Sequence, residues 1–262
     1  MPHANALLVD PLAPLAELLD TIGRSRDAVG VNLEASHAAG WVPARLLADP
    51  GLPFLADLVH RAARETGATT RPAAMLTWKR YSYWVTFPVA LGWALNRRVP
   101  LVDLDRILVE PSPSPRVALT RAEVALLPDD PCAGAPSAIV VEDEAQLLAT
   151  ARSTLVVRNL APVAAALRRL VRVGEPVVWG SVAAALAQPL VRFAPLLPSA
   201  PLTAPSRLVA GVAPELSRLI DLTPVDGEGA LSLRRRTCCL AFAVPGLEMC
   251  HGCPRAERDA SR

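Results

Sequence analysis

The chain has 262 residues, 52% hydrophobic and 20% charged, which excludes whole-chain disorder and leaves room for one large domain or two modest ones. A net charge of +2 gives no global case for nucleic acid, and the 27 basic residues, all arginine except Lys79, read as compositional bias rather than a functional patch. Five cysteines, an odd number, argue against a simple disulfide framework.

Residues 1–7 lack a basic n-region and Asp10 interrupts the apolar stretch, so no secretory signal is expected and a reducing cytoplasm is. In that compartment clustered thiols are metal ligands more often than bridges. The first helix is expected over residues 11–19, with apolar side chains at 12, 15, 16, 18 and 19, and a second over 52–64 on Leu55, Leu58, Val59 and Ala62. A longer helical region covers 72–96, opening on a proline suited to a first turn and breaking or kinking at Pro88. It carries Trp78, Tyr81, Tyr83, Trp84, Phe87 and Trp93. Aromatics on several faces of one helix read as core, with a face lining a ligand pocket as the alternative.

The character changes after Pro100. Residues 101–109 alternate in polarity, the Pro-Ser repeat at 111–115 marks a turn, and 116–120 and 137–141 read as further strands, together a small antiparallel sheet. Helices return over 143–151, 160–171 and 177–187. Residues 193–205 are too proline-rich for regular helix and read as an extended strap, and 207–222 as the last helix. Two uncharged runs of 16 residues, 81–96 and 176–191, fall short of the about 18 a spanning helix needs. They read as buried core helices, with peripheral docking at the inner membrane face as the alternative. The fold class expected is α+β: mainly helical, with a small antiparallel β-sheet and a C-terminal cysteine-rich segment.

Four of the five cysteines, Cys238, Cys239, Cys250 and Cys253, fall in the last 25 residues as C-C-x10-C-x2-C. A C-x2-C pair lets two thiolates on one turn grip one ion. Consecutive side chains such as Cys238 and Cys239 diverge, so to serve one centre their backbone must sit in a turn or at an element end. A binuclear centre gives diverging thiolates separate places to bind, which suits a 2Fe–2S cluster. A zinc site of four cysteines, a disulfide arrangement and free thiols are the competing readings; zinc normally uses two C-x2-C-like knuckles, and a vicinal pair is a poor one. Cys132, far off in sequence, reads as a packing cysteine. His251, between two of the cysteines, could stand near cluster sulfurs; His3, His37 and His60 show no ligand spacing.

The runs Arg236-Thr237-Cys238-Cys239-Leu240 and Cys250-His251-Gly252-Cys253-Pro254 resemble the C-terminal signature of FhuF-like ferric-siderophore reductases. Upstream, Val178-Trp179-Gly180-Ser181-Val182-Ala183 is similar to a W-G-N-x-A stretch of that family with serine in place of asparagine, and Lys79-Arg80-Tyr81 also looks familial. The resemblance implies a 2Fe–2S protein, its cluster on Cys238, Cys239, Cys250 and Cys253, that passes one electron to siderophore-bound Fe(III) and releases iron as Fe(II) in the cytoplasm. The resemblance spans roughly residues 70–254; the division expected is a scaffold and siderophore-binding domain over 1–232 with the cluster segment, 233–262, packed on it. No P-loop, dinucleotide fingerprint or serine-nucleophile motif is present in the sequence, so the electron is expected from a separate donor, a ferredoxin or a flavin/NAD(P)H reductase. Residues 232–262 hold six arginines and three acids, net +3, leaving −1 for the rest. Arg234 and Arg235, with Trp179, are therefore the candidates for contact with an anionic ferric siderophore or an acidic donor. The alternative function is an electron carrier or iron-responsive sensor that reduces no siderophore.

Overall fold

The computed structural model describes residues 10–25, 29–34, 40–197, 200–225, 229–250 and 252–255. The expectations for residues 1–7, His3, His37 and His251 fall outside these. Seven α-helices order the described chain: α1 (Ala13–Arg24), α2 (Phe54–Thr66), α3 (Thr70–Asn96), α4 (Glu144–Ala151), α5 (Ala161–Leu170), α6 (Glu175–Arg192) and α7 (Ala204–Val212). Nine short strands accompany them: β1 (Val31–Asn32), β2 (Val42–Pro43), β3 (Val99–Pro100), β4 (Ile107–Val109), β5 (Val117–Leu119), β6 (Val124–Leu126), β7 (Ala138–Val140), β8 (Ile220–Val225) and β9 (Ala230–Arg235). The class is α+β.

Helix α3 is the axis. It is buried nearly all round, with Trp78, Phe87 and Trp93 at or below 1% exposure, and it packs against α2 on one side and α6 on another. A helix apolar on every face must be enclosed by other elements, and here the enclosure overrides the break expected at Pro88. The helix runs unbroken through that proline, the lost backbone bond and ring clash being outweighed by burial on both sides. It ends at Arg97, in the left-handed region at φ 57°, whose guanidinium donates to the Trp93 carbonyl at 2.7 Å and lies 4.3 Å from the Trp93 ring centroid.

The sheets are mixed rather than purely antiparallel. One has the order β1-β5-β4-β2 with β1 and β5 parallel, a second β3-β6-β7 with β6 and β7 parallel, and β8 and β9 form a separate antiparallel hairpin. The strand expected over 101–109 shortens to Ile107–Val109. Its first half leaves the ladder because Asp103 turns inward and takes ion pairs from Arg106 at 2.6 Å and Arg158 at 3.5 Å. Between α4 and α5 the chain stays helical as a π-helix, Arg152–Leu160, whose wide turn directs Asn159 inward. There Asn159 accepts from the Tyr81 hydroxyl at 2.6 Å and donates to the Val102 carbonyl. Burial pushes the Tyr81 hydroxyl well above its ordinary pKa, so this relay is a neutral strut.

The last helix stops early. Pro214 disfavours helix at Ala213, so α7 ends at Val212, a 3-10 stretch covers Pro214–Leu219, and 220–222 enter β8 instead of the helix expected there. Among the described residues no helix is long and apolar enough to cross a membrane.

Candidate metal centre

The platform of the cysteine segment is the β8–β9 hairpin laid on α6. The boundary expected between residues 232 and 233 falls inside β9. Arg236 fixes the hairpin end: its amide donates to the Leu219 carbonyl at 2.9 Å and its guanidinium forks onto Asp221 at 2.6 and 2.9 Å. Gly180 on α6 lies so close to Thr237 that a Cβ there would overlap the threonine side chain. The small residue lets the chain enter the vicinal pair in contact with the helix.

The turn that the vicinal cysteines require is present. Leu240, directly after them, adopts the left-handed conformation at φ 61°, and its amide points back to Cys238 Sγ at 3.4 Å. A 3-10 turn, Ala241–Ala243, follows, and the loop exposes Phe242, Leu247 and Met249 before Cys250. Arg255 lies over the Phe242 ring at 4.1 Å. The return is held by Gly252, whose carbonyl accepts from the Arg235 amide at 3.0 Å. Its φ is +69° and any Cβ would overlap the Leu233 carbonyl, so the turn between Cys250 and Cys253 depends on glycine.

These two turns bring Cys239 and Cys250 into contact. Cys239 Sγ stands 3.5 Å from Cys250 Sγ, close to the about 3.7 Å between two thiolates bound tetrahedrally to one ion at about 2.3 Å. Cys238 is near enough to Cys239 and Cys253 to interact electrostatically with both. Cys239 and Cys253 are buried and the other two half-buried. In the Cys239–Cys250 pair the hydrogen bond makes Cys239 the readily ionised thiol and drives Cys250 above its ordinary value, with Arg235 and Lys79 drawing both downward. Burial raises Cys238, against the Leu240 amide. Among the described residues no three Cys, His, Asp or Glu side chains close round a single-ion site.

The sequence candidates separate by position. Arg235 is buried, and its guanidinium donates to Ser181 Oγ on α6 at 3.0 Å, so it faces the thiols from beneath. Arg234 lies on the exposed face of β9, in register with Asp221. Trp179 packs half-buried against the core, next to Val178, whose carbonyl accepts from Trp78 Nε1 at 2.9 Å. Cys132 is buried beside a forked Arg98–Asp130 pair at 2.7 and 2.8 Å, and its amide donates to Asp130 at 2.7 Å. Missed from the sequence were the hairpin platform and Lys79 as a charge facing the thiols. The signal for the hairpin was there: two six-residue runs flank an Asp226-Gly227 turn dipeptide.

A pair of thiols in contact at the end of a hairpin, set between two left-handed turns and acted on by two cations, suits a thiolate metal centre, and the family match over this segment makes the chain an iron–sulfur redox protein. Residues 235–255 match the model of the FhuF 2Fe-2S C-terminal domain, and Cys239, Cys250 and Cys253 fit its cysteines. The cofactor is a 2Fe–2S cluster. The residues present suit it: a donor set of thiols alone, already paired at metal-site spacing, in a turn geometry that brings vicinal ligands to one place. No curated protein matches the chain.

Proposed function

We propose that the protein is a ferric-siderophore reductase that delivers one electron to siderophore-bound Fe(III) in the cytoplasm. The observation that carries this reading is the FhuF 2Fe-2S match over residues 235–255, coincident with the assembled thiols. Fe(III) is a hard ion suited to hydroxamate, catecholate or carboxylate oxygens, whereas Fe(II) is held less tightly by such cages. Adding one electron therefore loosens the iron without destroying the chelator, whose oxygens take up protons from water as the metal leaves. The cluster, when bound, supplies one-electron storage.

The chain's own residues set the conditions. Arg235 and Lys79 place positive charge beside the thiols, which favours the more negative reduced state. Burial of Cys239 and Cys253 keeps bulk water from the sulfurs on that side. The electron enters from a separate ferredoxin or flavin/NAD(P)H reductase. Arg234 and Trp179, which keep accessible surface on β9 and α6, are assigned to docking of an acidic donor or the anionic chelate.

The test is anaerobic single turnover. Reduced holoprotein is mixed with ferric siderophores in the presence of an Fe(II) trap. Reoxidation with about one Fe(II) trapped per chain supports the reading. Failure of every ferric chelate to reoxidise the protein would leave an electron carrier or sensor in its place.

A further inference from the structure

Four arginines accompany the cysteines through residues 234–255, and the structure gives each a different place. Arg236 is exposed and forks onto Asp221, Arg255 is exposed and lies over the Phe242 ring at 4.1 Å, and Arg234 stands on the exposed face of β9. Of the four only Arg235 turns inward, with 4% of its surface exposed. A buried guanidinium needs an acceptor for each hidden N–H, because an unmatched donor on a charged group is costly to bury. Nη2 of Arg235 has one, donating to Ser181 Oγ on α6 at 3.0 Å. Nε is buried and finds no acceptor among the described residues.

Arg235 lies where the cysteine turns meet the helix. Its amide donates to the Gly252 carbonyl at 3.0 Å, which joins its backbone to the turn between Cys250 and Cys253. Two residues on, Thr237 is pressed against Gly180, the neighbour of Ser181 on α6. Consecutive α6 residues thus hold the guanidinium and the entry to the vicinal cysteines. Cys253, directly after Gly252, is buried, and so is Cys239, which stands 3.5 Å from Cys250 Sγ. The positive charge of Arg235 favours ionisation of the Cys239 thiol, in keeping with this placement. A second unpaired polar atom of the segment, Thr237 Oγ1, faces the Gly180 backbone instead.

We propose that Arg235 Nε–H is a hydrogen-bond donor to a sulfur of the 2Fe–2S centre, with Ser181 as the positioning residue that fixes the guanidinium from α6. Hydrogen bonds to the sulfurs are among the determinants of a cluster's potential. A charge-assisted bond strengthens as its acceptor becomes more negative, so this one is tighter in the reduced state and favours it. Ser181 adds what charge alone does not. With Nη2 held at Ser181 Oγ, the planar fork is restricted and Nε–H keeps its direction. The tie also makes α6, an element of the buried scaffold, a support of the centre without supplying it a ligand. The bond requires the cluster and is indifferent to which acceptor takes its electron.

The test is pulsed electron paramagnetic resonance on reduced holoprotein whose arginines carry the heavy nitrogen isotope in the guanidinium. A hyperfine coupling to an arginine nitrogen is expected in the parent, and its loss in Arg235→Lys, which keeps the charge and removes the guanidinium. Ser181→Ala keeps both charge and guanidinium; it should weaken the coupling and shift the midpoint potential negative. Ser181→Thr, which retains the hydroxyl, should restore both. Iron content and far-UV circular dichroism confirm that each variant is loaded and folded. A parent spectrum without the coupling, or a coupling that survives in Arg235→Lys, overturns the proposal, and the parent spectrum decides this even where Arg235→Lys loads poorly. Parent coupling together with parent potential in Ser181→Ala overturns the assignment of Ser181 as the positioning residue. No siderophore enters these measurements, so their outcome is separate from that of the single-turnover test.

Discussion

The α3–α6 pair and the segment 236–255 are held together by different physics. The helix pair is buried apolar surface: Trp78, Phe87 and Trp93 on α3, and Val182, Ala183 and Leu186 on α6, are shut off from solvent. Removing one polar bond there leaves the packing in place. Among its described residues the cysteine segment has one 3-10 turn as its regular structure, exposes Phe242, Leu247 and Met249, and is tied down by the Arg235–Gly252 bond, the Thr237 contact with α6 and its thiols. Such a segment takes much of its order from the metal it binds, since metal binding and folding are coupled where the ligands come from turns. The scaffold is built to stand alone and the centre is built to be completed.

That difference can be broken first at the ligands. Cys239→Ser or Cys250→Ser should abolish nearly all visible absorption, iron and sulfide while far-UV circular dichroism stays close to the parent. Cys132→Ser should keep the full cluster content, because its thiol sits beside Arg98 and Asp130, apart from the other four. Equal cluster content in the three variants would refute the ligand assignment.

The converse change is in the scaffold. Asp130→Asn leaves the Arg98 guanidinium buried without its carboxylate and should cost about 3 kcal/mol in denaturant unfolding, with cluster content per folded chain unchanged. The same pair gives a pH dependence. Burial pushes the Asp130 carboxyl up, but the Arg98 fork and the Cys132 amide outweigh it and hold the group below its ordinary value. A carboxyl depressed in the folded state contributes stability above its unfolded pKa and loses it as the pH falls. The parent should therefore lose more stability than Asp130→Asn on acidification below about pH 4. Parallel curves for the two proteins would remove the ion pair from the ledger of scaffold stability.

A smaller effect belongs to the return turn. Gly252→Ala combines a left-handed backbone with overlap onto the Leu233 carbonyl, a cost of about 1–3 kcal/mol that should appear as faster cluster loss to a chelator and leave the unfolding midpoint of the helical core near the parent's. The smallest is electrostatic. Arg235→Gln removes a buried cation facing the thiols and should move the midpoint potential negative by on the order of 60 mV, with Arg235→Lys restoring most of it. A potential that does not move would make Arg235 a packing residue held by Ser181 alone.

The candidate ligands were legible because the chemistry of cysteines is carried by residue identity and spacing, and Cys239, Cys250 and Cys253 fit the family model. Four cysteines at C-C-x10-C-x2-C restrict the possibilities before any coordinate is known. The helices were legible where one face is apolar, as in α1 and α2. Legibility failed where tertiary packing overrode a local rule. Pro88 should interrupt α3, yet enclosure on both sides keeps the helix intact. Asp103 sits in an alternating run that reads as strand until its carboxylate turns inward to Arg106. Residues 220–222 look like the end of a helix because helical spacing cannot reveal their β9 partners, Arg235, Arg234 and Leu233. In the site, Arg235 and Arg234 read as equivalent neighbours in the sequence. The alternation of β9 turns one inward to Ser181 and the other to solvent, a difference that needed the hairpin to be seen.

The decisive measurement is the metal and sulfide content of anaerobically purified protein, read together with the electron paramagnetic resonance spectrum after reduction. About two irons and two inorganic sulfides per chain, a coloured oxidised form, and a one-electron paramagnetic reduced form that Cys239→Ser lacks are the result predicted. A colourless protein loaded with zinc on the same four cysteines would contradict it.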